Sequence, residues 1–128
     1  MKILIITQLL LFITFYGFSQ ISINNTRWDA HASIPQSIDV RLEFARDSFS
    51  IYRLNGKLAE TSYFSQKSDS LFIRKLWGVS PCSSGYEAWY RIEWLDNGNK
   101  FILHNLSDTC RQRSNSWTSM RIDAKINN

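Results

Sequence analysis

Apolar residues recur along this chain with a period of two almost wherever a period can be read. Ile38, Val40, Leu42 and Phe44 alternate with Asp39, Arg41 and Glu43, as a strand with one buried and one wet face requires. A helix would place Val40 and Phe44 on roughly the opposite side from Ile38 and Leu42. Upstream, Trp28, Ala30, Ala32 and Ile34 alternate with Arg27, Asp29, His31 and Ser33, and Pro35 ends that strand. Phe49 and Ile51 mark a third strand, closed by the turn dipeptide Asn55-Gly56. Over 57–66 two patterns compete. Leu58, Ala59, Ser62 and Tyr63 fit one face of a short helix, but their position between turn signals favours a strand. Leu71, Ile73 and Trp77 follow Ser68-Asp69-Ser70 in a fifth strand, and Met120, Ile122 and Ala124 alternate with Arg121, Asp123 and Lys125 in the last.

The sharpest unit is a hairpin from Gly85 to Leu106. Tyr86, Ala88, Tyr90, Ile92 and Trp94 share one face, with Glu87, Arg91 and Glu93 on the other. Asn97-Gly98 suits a two-residue type I′ turn, where both positions need a positive φ. The turn fixes the register: Trp94 opposite Phe101, Ile92 opposite Leu103, Tyr90 opposite Asn105. Apolar residues of the two strands then land on the same face. Eight short strands, with turn signals at roughly 8- to 12-residue spacing and no long helix, predict a barrel or a sandwich. Short connections between successive strands favour an eight-stranded antiparallel up-and-down barrel.

The first residues break this pattern. After Lys2, Ile3 to Phe18 is almost unbroken apolar sequence, and Gly17 and Ser19 supply small residues at the −3 and −1 positions. These features predict a signal peptide over 1–19, cleaved after Ser19, and a domain over 20–128. An uncleaved anchor is the rival reading, but the stretch falls short of the ~20 residues a span needs. The first cysteine is Cys82, so a lipoprotein anchor at the cut is excluded. The expected location is secreted or periplasmic, with no stable membrane anchor after cleavage.

Removing Lys2 from 15 basic residues leaves 14 against 11 acidic ones, a net charge of +3. Basic and acidic residues are interspersed, which argues against a nucleic-acid partner. Asn24-Asn25-Thr26 and Asn105-Leu106-Ser107 match the glycosylation sequon, which carries meaning only in a eukaryotic host.

With two cysteines and an oxidising compartment, the disulfide must be Cys82–Cys110. Extending the hairpin register sets 82 opposite 113 and 110 opposite 85, so the two lie near one open end, offset by about three residues. Closing that loop is worth roughly 3 to 4 kcal/mol in the chain-entropy picture. A catalytic thiol would need a base, and His31 and His104 both fall on outward faces.

Cys82, Gly85-Tyr86, the alternation after them and the segment Asp108-Thr109-Cys110-Arg111-Gln112-Arg113 resemble the second half of small secreted bacterial lipocalin-like (calycin-type) β-barrel domains. Trp28 in strand one, Phe44 before a turn, and Tyr63 followed by Asp69-Ser70-Leu71-Phe72-Ile73 resemble the first half. Lipocalins proper carry Gly two residues before the Trp, where this chain has Thr26, and they are longer. The resemblance implies a structural contact in which Arg113 packs on Trp28, a cation–π pair closing one barrel end.

Two functions follow from this reading. A barrel of eight strands is either filled by side chains or holds one small ligand. The expected ligand-facing set is Phe44, Tyr63, Ile73, Tyr86, Tyr90, Trp94, Phe101 and Leu103, with Leu71 beside them, and the expected ligand is a small hydrophobic molecule. The alternative is an extracellular or envelope interaction module, an inhibitor or structural component. It would use an outer apolar face of Trp89, Ile102 and Leu106, with Leu95, to meet a protein partner or a second copy. An enzyme ranks last. Glu43, Glu87, Glu93 and Asp29 alternate outward, no serine sits in a nucleophile elbow, and no metal-ligand spacing or cofactor motif is present.

Overall fold

The computed structural model describes residues 20–127, so the signal-peptide reading of 1–19 lies outside the described residues. The strands are β1 (Thr26–Ala32), β2 (Ile38–Phe44), β3 (Ser48–Arg53), β4 (Leu58–Lys67), β5 (Ser70–Gly78), β6 (Glu87–Leu95), β7 (Lys100–Ser107) and β8 (Arg121–Ile126). A helix, α1 (Arg111–Thr118), joins β7 to β8. All eight strands form one antiparallel sheet in the order β7-β6-β5-β4-β3-β2-β1-β8. The sheet curls until β8 lies alongside β7, giving an up-and-down, nearly closed β-barrel.

Alternation sets the core. β1 is buried at Thr26, Trp28, Ala30 and Ala32, and β2 at Val40, Leu42 and Phe44. The expected hairpin register holds: Tyr90 faces Asn105, Ile92 faces Leu103 and Trp94 faces Phe101. Asn97 (φ 53°) and Gly98 (φ 84°) occupy the left-handed region at its tip, closed by a 3.0 Å hydrogen bond from Asn99 N–H to the Asp96 carbonyl. The cysteines are joined, Cys82 to Cys110, with Cα atoms 5.9 Å apart.

The two barrel ends differ. At the end where β1 begins, Ile23 is fully buried and acts as a plug. Its N–H donates to Gln66 Oε1 (2.9 Å), and Gln66 Nε2 donates to the Ile21 carbonyl (2.9 Å). Behind it, Phe44 stacks on Phe49 at 4.3 Å and meets Phe64 edge-on at 5.2 Å. Inside the seam that β8 closes, Trp28 of β1 meets Phe101 of β7 edge-on at 4.8 Å. The middle is therefore filled by aromatic side chains. The other end is covered by α1, whose Trp117 enters the barrel against Tyr90 (5.3 Å) and Phe49 (5.5 Å).

Three expectations need correction. Tyr63 points outward, because β4 buries Glu60, Ser62 and Phe64; it packs on Phe72 (6.1 Å) under the Arg74 guanidinium (5.0 Å). Tyr86 precedes β6, in a turn where its N–H donates to the Ser83 carbonyl, and its side chain is exposed. The segment after Cys110 is helical, with only Arg113 and Trp117 buried on it, one turn apart. Consequently Arg113 lies over Trp117 (5.7 Å), and the cation over Trp28 is Lys125 (5.6 Å).

Candidate functional site

A cavity of about 280 Å³, open to solvent on one side, lies beside α1 at the end opposite the Ile23 plug. Ile34 and Pro35 of the β1–β2 connection, Ile38 and Val40 of β2, and Ile51 of β3 form one wall. Trp117 and Met120 form the other, and Val79-Ser80-Pro81 cross between them. The disulfide ties the segment after β5 to the start of α1, so it fixes two sides of this cleft against each other.

The floor is polar. Glu60 and Lys75 point inward, with 7 % and 3 % of their surfaces exposed, and their charged atoms lie 3.4 Å apart. Lys75 Nζ also donates to the Ser80 carbonyl (2.8 Å), to Ser80 Oγ (3.1 Å) and to the Cys82 carbonyl (2.6 Å). The Ser80 hydroxyl donates to Glu60 Oε1. Glu60 sits between two bulges: Ala59 is the extra residue against β3, and Leu76 the extra residue against β5. Bulges re-aim side chains and terminate regular pairing. Opposite Glu60 stands Gly78, where a Cβ would lie 2.5 to 2.8 Å from Glu60 Cγ, Cβ and Cα, so only glycine lets the strands approach here.

A second ion pair braces the helix. Arg113 Nε and one terminal nitrogen grip the Asp108 carboxylate at 2.7 and 3.0 Å, a two-pronged contact with both side chains enclosed (2 % and 0 % exposed). Asp108 also accepts from the Tyr90 hydroxyl and from the Cys110 N–H (2.9 Å). Burial alone would raise the Asp108 pKa. The hydrogen bonds from Arg113, Tyr90 and Cys110 outweigh it and hold the carboxyl below its ordinary value. Burial first, and the Asp108 carboxylate second, push the Tyr90 phenol well above its ordinary range. Arg113 is held more firmly protonated because the bond to Asp108 outweighs the effect of its burial.

None of the residues expected to face a ligand lines the cleft. Phe44, Ile73, Tyr90, Phe101 and Leu103 are buried in the packed interior, and Trp94 is partly buried against it. Tyr63 and Tyr86 are outside, for the reasons given above. On the outer face, Trp89 packs on Phe72 (5.0 Å), continuing a row from Tyr63 across β4, β5 and β6. Ile102 is half-buried opposite Glu93, and Leu106 is exposed at a bulge. The pair Arg91 and His104 lies between Trp89 and Ile102 along the hairpin, so these residues do not form one continuous patch. Among the described residues no group of three or more His, Cys, Asp or Glu side chains is placed to hold a metal ion.

Glu60 was missed because alternation in 57–66 reads equally well with Ala59, Thr61 and Tyr63 inside, and Lys75 because a lysine reads as surface although it shares the buried face of Leu71 and Ile73. Gly78 was the available signal, since a glycine inside a strand pattern marks a bulge or a close backbone approach. Comparison with protein-family models, with curated proteins and with solved structures finds no match.

Proposed function

We propose that this chain is an exported lipocalin-like protein that binds a small, mainly apolar molecule in the cleft beside α1, rather than at the barrel centre. The cleft itself carries the reading: about 280 Å³ of open space with apolar walls and a few fixed polar groups on its floor. Ligand sites have this composition, and sizes from ~300 Å³ upward are usual. A cavity of ~150 Å³ holds one benzene, so this one admits a molecule roughly twice that size. Trp117 is the one tryptophan lining it and serves as reporter. The test is calorimetric and fluorescence titration of the oxidised protein with 1-octanol. Saturable binding that shifts Trp117 emission, and that Ile38→Trp abolishes by filling the cleft, is the expected result. No binding to a folded protein sinks the proposal.

The outer row Tyr63–Phe72–Trp89, with Trp89 42 % exposed, favours a second reading, an interaction module. Concentration-dependent sedimentation that Trp89→Asp eliminates would favour it. A monomer at all concentrations would count against self-association through this face.

A further inference from the structure

We infer, building on the cleft as a ligand site, that its occupant is an uncharged molecule with an apolar body and one hydrogen-bond donor, directed at Oε2 of Glu60. Glu60 is more than nine-tenths buried and lines the cleft. Its Oε1 is engaged by the Ser80 hydroxyl and by Lys75, whereas among the described residues no donor reaches Oε2. The cleft is open to solvent, so this oxygen can exchange water for a ligand's donor, and hydrogen bonds to a charged acceptor are among the stronger ones. Two bulges and the contact with Gly78 hold it there, so its orientation is built into the strands rather than adopted by a loose side chain.

The charge balance of the floor selects the kind of donor. Glu60 is paired with Lys75 and Asp108 with Arg113, so the buried charges cancel. A carboxylate ligand would meet Glu60 with like charge. An ammonium ligand would add a third buried cation beside Lys75 and Arg113 with only two acids to answer them. A hydroxyl or amide N–H satisfies Oε2 and leaves the balance intact. Arg53 and Gln112 are exposed cleft residues at the rim, and they are where an acid would gain if the floor did not decide.

The test is isothermal titration of the oxidised wild-type chain with four probes of one chain length: 1-octanol, octyl methyl ether, octylamine and octanoate. A hydrogen bond to a charged acceptor should make octanol bind about tenfold to a hundredfold more tightly than the ether, which has no donor. The amine and the acid should both fall below octanol. Glu60→Met combined with Lys75→Met removes the ion pair as a unit, and should erase the preference for alcohol over ether while both still bind. Should that variant fail to fold, the four wild-type affinities decide by themselves. Affinities within threefold of one another, or a lead for the amine or the acid, overturn the assignment to Glu60 and leave the cleft standing as a site. Absence of binding by all four to the folded protein overturns both the cleft and this inference.

Discussion

Asp108→Ala should be among the most damaging single substitutions in this domain. The side chain is completely enclosed and serves three donors: Arg113 through two nitrogens, the Tyr90 hydroxyl and the Cys110 N–H. Truncating it leaves a guanidinium that is 2 % exposed without its counter-ion. Breaking a buried pair from one side costs about 3 to 5 kcal/mol, out of a total of about 5 to 15 for a domain of this size. At about 4 °C per kcal/mol, the melting midpoint should fall by roughly 12 to 20 °C. Urea unfolding of the oxidised protein, followed by tryptophan emission, measures the loss directly. A pH series adds an independent check. Because the folded carboxyl sits below its ordinary pKa of 3.8, its contribution is full above that value and is lost as pH falls through the lower, folded one. Asp108→Asn should therefore lack this part of the acid-induced loss. An Asp108→Ala protein within 1 kcal/mol of wild type, with an unchanged acid limb, would refute a buried network at this position.

Tyr90 gives the alkaline counterpart: its raised folded pKa means stability is intact below pH 10 and declines above it, a decline that Tyr90→Phe should remove in denaturant titrations at high pH. Gly78→Ala would force a Cβ to within 2.5 to 2.8 Å of Glu60 atoms, and should cost about 1 to 3 kcal/mol by urea melt; a neutral result would deny the close approach. Replacing both Cys82 and Cys110 by Ser should lower stability by roughly 3 to 4 kcal/mol, and weaken probe binding even at temperatures where the chain stays folded. Ile23→Ala removes the fully buried plug at the far end and should cost about 2 to 5 kcal/mol without changing affinity for cleft probes, as read by melts and titration together.

The barrel was legible because its strands carry a period-two pattern that a helix cannot satisfy, and because Asn97-Gly98 pins the hairpin register from one end. Ile38–Phe44, read as a strand from alternation alone, has those same bounds in the structure. The disulfide followed from there being two cysteines and one register. What escaped was local and polar. The helix Arg111–Thr118 has no apolar stripe: Arg113 and Trp117 are its whole buried face, and an arginine reads as surface. β4 was read as a strand, but its facing escaped for the opposite reason, since it turns Glu60 and Ser62 inward and Tyr63 outward. Hydropathy assumes that polar residues face water. It fails where a buried carboxylate is matched by a buried ammonium, and the match comes from another strand, out of reach of any local window.

The contrast between the two barrel ends is the physical ground for placing function where those failures cluster. The Ile23 end is closed with isoleucine and phenylalanine, which gain stability simply by leaving water. The α1 end holds two ion pairs out of water, an arrangement that well-packed apolar residues of similar volume commonly match or better in stability. Stability alone therefore does not account for Glu60 and Lys75, whereas a polar floor beneath an apolar cleft has a direct use in orienting something bound there. The Asp108–Arg113 pair is different in kind: it seats Trp117 and anchors the helix that walls the cleft, so it acts on a ligand through position. Departures from local sequence rules concentrate at functional sites, and here both bulges beside Glu60, the glycine facing it and the buried charges all converge on one end of the barrel.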